Sequence, residues 1–193
     1  MRRCVFGAAS PTIDPYYITR VEELGKALAE RGHSLTFGGG GNGLMGAAAR
    51  GFRDGGGDIL GVIPKFFIEE SVELICDFCN ELITPDTMRE RKQIMEDNAD
   101  AFIIVPGGIG TFEEFFEILT SKQLCRHNKP IAVYNLMGYY DEMYAMLDAA
   151  IEKNFLRENC RELYLFSEDT DKIIEYVETP PREIGDIKDL KDG

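Results

Sequence analysis

The stretch VPGGIGTFEE, Val105 to Glu114, sets three glycines and a threonine ahead of two adjacent glutamates. Gly107, Gly108 and Gly110 let a backbone turn sharply and approach a ligand with no Cβ in the way. A helix opening just after them would aim its free N–H groups and positive end at the same spot, which suits a phosphate. A carboxylate beside that spot has a chemical use, because cleavage of a glycosidic bond builds positive charge on the sugar carbon and a fixed anion stabilises it. A purely structural alternative stands beside each point. The glycines would serve a tight strand-to-helix turn and nothing more. Thr111 and Glu114 have the T-x-x-E spacing of a capping box, in which Glu114 bonds back to the backbone at Thr111.

The segment TMRERK, residues 87–92, has the same two-sidedness. Thr87 and Glu90 form another capping-box pair, and a helix starting there carries Arg89, Arg91 and Lys92 in its first two turns, where cations oppose the helix dipole. That placement calls for an anion, either a bound phosphate or a carboxylate such as Glu114; solvated surface charge is the alternative. A second glycine loop, FGGGGNGLMG from Phe37 to Gly46, contains a G-x-G but lacks the continuation and acidic partner of a dinucleotide fingerprint. Neither loop ends in the Gly-Lys-Ser/Thr of a nucleoside-triphosphate loop. A mononucleotide or sugar phosphate fits better.

The elements that must position these residues follow from apolar periodicity. CVFGAA, SLTF, DILGVIP, ELIT, AFIIV, PIAVYN and ELYLF read as strands, several apolar throughout. Between them, helical spacing predicts helices over 16–31, LMGAAARGFRD, DTMRERKQIMEDNA, TFEEFFEILTSKQLCR, 139–153 and 169–177; the stretch around Phe66, Phe67 and Ile68 is less regular. Alternation of apolar strands with helices predicts an α/β fold, a doubly wound, mostly parallel, Rossmann-like sheet covered on both faces. In such sheets ligands bind beyond the strand C-termini, where both glycine loops fall.

At 193 residues, 44% of them hydrophobic, the chain has the size of one domain. Residues 1–178 are expected to form it, and 179–193 to be a polar, loose tail. The net charge of −13 argues against nucleic acid or an anionic membrane as a partner. The N-terminus has too short an apolar run for a signal core or a membrane span, so a cytoplasmic location is expected. Five irregularly spaced cysteines suit reduced thiols. CDFC has no second Cys pair or His cluster to complete a metal site, and neither metal nor cofactor is expected.

Together these segments resemble the Lonely Guy (LOG) family, the cytokinin riboside 5′-monophosphate phosphoribohydrolases long mislabelled as lysine decarboxylases. Its P-G-G-x-G-T-x-x-E motif stands here as Pro106 to Glu114 and its arginine-lysine motif as Met88 to Lys92, with FGGGGNGLMG, GVIP and GYYDEM also matching. The resemblance implies hydrolysis of the N-glycosidic bond of an adenosine 5′-monophosphate, often N6-modified, to free base and ribose 5-phosphate. It implies Arg91 and Glu114 as the catalytic pair, with Gly107, Gly108, Ile109, Gly110 and Thr111 holding the 5′-phosphate. Met88, Arg89, Lys92 and Glu113 are further substrate contacts by the same carry-over, and a homodimer is implied, with the helices flanking TFEEFFEILT as interface elements. Glu114 would stabilise the oxocarbenium ion, and Arg91, too weak an acid to be the obvious proton donor, would position and stabilise charge. GAAS and TSKQL depart from the family's usual glycine-serine pair and tryptophan, and Phe66 to Asp77 matches poorly, so Glu70 and Thr120 are candidates for contacts near the base. Two other readings remain. Molybdenum-cofactor carriers resemble this fold and also bind phosphates with glycine loops, but Arg91 and Glu114 together favour an enzyme. A decarboxylase would need pyridoxal phosphate on a lysine, and no lysine lies in a recognisable site for it.

Overall fold

The computed structural model describes residues 1–181 and 185–191. Seven parallel strands form one sheet: β1 (Arg2–Phe6), β2 (Ser34–Phe37), β3 (Ile59–Val62), β4 (Glu81–Ile83), β5 (Ala101–Ile104), β6 (Ile131–Tyr134) and β7 (Leu165–Ser167). Their order is β4-β3-β2-β1-β5-β6-β7. The chain winds outward from β1 to one edge, then returns to pair β5 against β1 with Arg3 opposite Ala101. The direction reverses between β1 and β5, which opens a crevice beyond their C-terminal ends.

Strand side chains alternate between two cores, as a covered parallel sheet requires. Val5, Leu35, Phe37, Ile103 and Tyr134 face helices α1 (Pro15–Glu30), α2 (Gly43–Asp54) and α7 (Thr170–Glu178). Phe6, Leu60, Val62, Phe102, Ile104 and Val133 face α4 (Met88–Asp97), α5 (Ile109–Gln123) and α6 (Asp141–Glu152). The sheet and six major helices agree with the expected pattern.

Three differences have local causes. The irregular stretch after β3 contains a short helix, α3 (Lys65–Glu69), with no buried residue; its aromatic pair masks the helical period. ELYLF is only partly strand, because residues 158–163 form a 3₁₀ turn that buries Cys160 and Leu163 before β7 begins. Within the expected tail, α8 (Ile187–Leu190) is capped by Asp186 and buries Leu190 in the second core. One apolar residue among charged ones gave no periodic signal. No helix among the described residues is long and apolar enough to cross a membrane.

Candidate active site

Three loops meet at the crevice. The one after β1 donates Ala8 N–H to Pro106 O at 3.1 Å, and Leu44 N–H at the start of α2 donates to Ala8 O at 2.8 Å. This stitches residues 7–10, the start of α2 and the Pro106–Gly108 loop together. Gly107 is buried because α5 comes back over it: a Cβ there would lie 2.1 Å from Thr111 Oγ1. Gly108 and Gly110 instead look into open space, with no atom within 4 Å of where a Cβ would stand. Ile109 is exposed and Thr111 buried. The first helical N–H groups of α5 have no earlier turn to bond, and Phe112 is the first to reach back, to Gly108 O. The loop therefore presents free amides at a helix N-terminus, the arrangement that holds a phosphate.

The two capping-box motifs have opposite fates. Thr87 caps α4, with Thr87 Oγ1 accepting from Glu90 N–H and Glu90 Oε2 accepting from Thr87 N–H. The same pattern at Thr111 and Glu114 makes no cap, because α5 starts earlier, with Gly108 as its N-cap and no side-chain capping bond. Glu114 is thus released from the backbone and turns inward. It lies 8% exposed, with Oε1 3.6 Å from Nη1 of Arg91, itself 6% exposed. Burial pushes the Glu114 carboxyl up to about 7, against the pull of Arg91. A carboxyl poised near neutrality beside a guanidinium suits charge stabilisation at a reacting sugar.

Arg91 is held from several sides. Its Nε donates to Val62 O at 3.1 Å, and its guanidinium lies 6.0 Å from the Phe67 ring. The second glycine loop makes room for it: a Cβ on Gly38 would stand 2.1 Å from Arg91 Nη2. The role of that loop is therefore partly to seat an arginine, a function its glycine spacing did not disclose.

The residues expected around this pair divide. Lys92 is half-buried and bonds Glu113 at 2.5 Å and Glu117 at 2.6 Å, so it and Glu113 partly neutralise one another. Met88 and Arg89 are exposed in the first turn of α4. Thr120 is exposed six residues beyond Glu114, about 9 Å further along α5. Glu70 is exposed at the C-cap of α3. In its place the structure brings Glu73 to the pair. Residues 73–76 dock on the second glycine loop through Gly41 N–H to Leu74 O at 2.6 Å and Cys76 N–H to Gly39 O at 2.9 Å. Glu73 Oε2 then packs over Gly40, 2.7 Å from where its Cβ would be. Burial raises the Glu73 carboxyl above its ordinary value, and Arg91 opposes the rise. Nothing in local spacing marked Glu73; only the bridge between Gly40 and Ile75 places it.

Cys76 is buried and Cys79 half-buried behind the same loop. Among the described residues no group of three or more His, Cys, Asp and Glu side chains is disposed to hold a metal ion.

Comparison with known proteins shows what the chain is similar to. A family model described as "possible lysine decarboxylase" matches residues 45–177. A probable cytokinin riboside 5′-monophosphate phosphoribohydrolase of Oryza sativa subsp. japonica is 38% identical over 183 residues, covering 93% of this chain and 74% of that one. A cytokinin riboside 5′-monophosphate phosphoribohydrolase of Arabidopsis thaliana is 36% identical over 177 residues, covering 92% and 82%. Among solved structures, a Moco carrier protein from Chlamydomonas reinhardtii superposes with a TM-score of 0.68 at 23% identity, covering 92% of this chain and 94% of that one. At that identity the likeness concerns the fold.

Proposed function

The chain belongs to the Lonely Guy family of cytokinin riboside 5′-monophosphate phosphoribohydrolases, and from that premise we propose that it hydrolyses the N-glycosidic bond of an adenosine 5′-monophosphate, N6-modified or plain, to free base and ribose 5-phosphate. The observation that carries the reading is the buried pair of Arg91 on α4 and Glu114 on α5, with a phosphate-type loop at the N-terminus of α5. The loop amides from Gly107 to Thr111 take the 5′-phosphate and so fix the ribose. Glu114, as the anion, lies where it stabilises the oxocarbenium ion and orients water or the ribose hydroxyls; Arg91 holds that carboxylate in place and Glu73 flanks the guanidinium. A decarboxylase reading finds no support in the lysines: Lys92 is tied to two glutamates, and Lys122 is buried on α5 about 12 Å along the axis from Glu114.

The test is hydrolysis of a panel of nucleoside 5′-monophosphates beside the matching nucleosides, with released base identified by chromatography. AMP-type substrates should be cleaved and nucleosides hardly at all, since phosphate binding orients the ribose. Equal rates with AMP and adenosine would remove the phosphate loop from the mechanism.

We also propose a homodimer. Ile109 and Phe112 on α5, Tyr144 and Met146 on α6, and Phe155 just after it are exposed apolar side chains, with Ile109 87% and Phe155 81% exposed. Light scattering at micromolar concentration should give twice the chain mass; a monomer would contradict the proposal.

A further inference from the structure

The turn after β6 carries two tyrosines whose position the mechanism does not use. Asn135 organises it: its Oδ1 accepts from Tyr140 N–H at 2.6 Å and its Nδ2 donates to Asp141 Oδ1 at 2.8 Å. Gly138 adopts φ +69°, and a Cβ there would strike Asp141 Oδ2 at 2.5 Å, so the sharp corner needs a glycine. The corner sends both phenols to the phosphate-type loop. Tyr140 OH donates to Val105 O at 2.8 Å, and Tyr139 OH donates to Gly107 O at 2.8 Å.

The two bonds act on different peptide planes. The carbonyl held by Tyr140 belongs to the peptide that precedes Pro106, which has no N–H to aim; that bond secures the end of β5. The carbonyl held by Tyr139 belongs to the planar, trans peptide between Gly107 and Gly108, whose N–H points opposite to its C=O. A glycine on either side leaves this plane free to rotate unless something outside the loop fixes it. Ala8 N–H already fixes the preceding plane through Pro106 O. Tyr139 is itself braced edge-on by Tyr17 of α1 at 6.4 Å and by Tyr140 at 4.9 Å.

We propose that Tyr139 is a positioning residue for phosphate binding: its hydroxyl sets the Gly107–Gly108 peptide so that the Gly108 N–H points away from the tyrosine, into the open space over the loop. The proposal rests on the reading of that loop as the 5′-phosphate site. A flipped plane would present the Gly107 carbonyl to the phosphate instead, a repulsive contact in place of a donor.

The test titrates ribose 5-phosphate calorimetrically into the full chain and into Tyr139→Phe, and measures AMP hydrolysis by both. The phenyl variant keeps the ring packing, so its melting temperature should stay close to the wild type. Its Kd for ribose 5-phosphate and its KM for AMP should each rise about fivefold, the worth of one hydrogen bond, with kcat nearly unchanged. In ¹⁵N-labelled protein, ribose 5-phosphate should shift the Gly108 amide strongly in the wild type and weakly in the variant, a readout that also serves if the variant is less stable. A folded Tyr139→Phe protein with wild-type affinity and the same Gly108 shift would overturn the proposal. A wild-type protein that binds no ribose 5-phosphate would overturn the loop assignment itself.

Discussion

Arg91 and Glu114 lie on different helices, α4 and α5, and meet 3.6 Å apart with both residues more than nine-tenths buried. That relationship is costly to build. Each charge loses its water, and the attraction between them offsets the loss only with good geometry and further bonds. Here Val62 O and the space over Gly38 serve Arg91, while no capping bond serves Glu114. A carboxylate left so poorly solvated contributes little to stability, which is consistent with the catalytic role proposed for it.

Glu114→Gln tests that placement. The amide keeps the size of the side chain but removes the negative charge needed by an oxocarbenium ion. Turnover of AMP should fall roughly 100-fold, about 2.7 kcal/mol of barrier, with KM little changed. The melting temperature at neutral pH should hold or rise, since a strained buried charge has gone. Near-normal turnover would move the catalytic assignment to another carboxylate in the crevice.

The same residue gives a pH signature. Burial raises the Glu114 carboxyl from 4.5 to about 7 in the folded protein, so between those values the folded state binds more proton than the unfolded one. The stability this provides is complete below 4.5 and is lost as pH rises through 7. Melting curves of wild type and Glu114→Gln across pH 4.5 to 7.5 should therefore converge or cross, with the variant gaining relative to wild type as pH increases. Parallel curves would mean that Glu114 titrates normally.

Gly38→Ala separates seating from folding. The new methyl would stand 2.1 Å from Arg91 Nη2 and 2.9 Å from Met45 Sδ, both the movable ends of side chains. The chain should fold with a modest loss of stability, but the guanidinium must shift away from Glu114. Activity should drop at least tenfold, because a misplacement of about 1 Å in a positioning group has large kinetic effects. An alanine variant with full activity would show that Arg91 need not sit where the glycine loop holds it.

The sheet was legible because its central strands and most helices carry clear apolar patterns: AFIIV and IAVY are apolar throughout, and Leu24 and Leu28 repeat at helical spacing. The loops were legible as glycine clusters at strand ends. What could not be read was which atoms the glycines make room for, since Gly38 accommodates a guanidinium and Gly107 a threonine from the first turn of the helix that follows it. The choice between capping and free glutamate at position 114 depended on where α5 begins, and its N-cap at Gly108, three residues before Thr111, decides it. Thr87 and Glu90 show the same motif read correctly when the helix begins where the cap predicts.

The last expectation concerns the segment that matched the family pattern least. Residues 66–77 have no regular periodicity, so the choice among their glutamates rested on nothing but neighbourhood. The docking of 73–76 onto the glycine loop points to Glu73, because it places the Glu73 carboxylate over Gly40 and within the field of Arg91, while Glu70 stays in solvent at the end of α3. A half-buried carboxylate near a guanidinium and a ribose site is positioned to accept hydrogen bonds from sugar hydroxyls or from the base edge. Glu73→Gln should raise the KM for AMP about tenfold, as expected for loss of a charged hydrogen-bond acceptor, and Glu70→Gln should leave kcat and KM within twofold of wild type. Steady-state kinetics on the two variants decides the matter: a strong effect at Glu70 with none at Glu73 would mean that the segment rearranges when substrate binds.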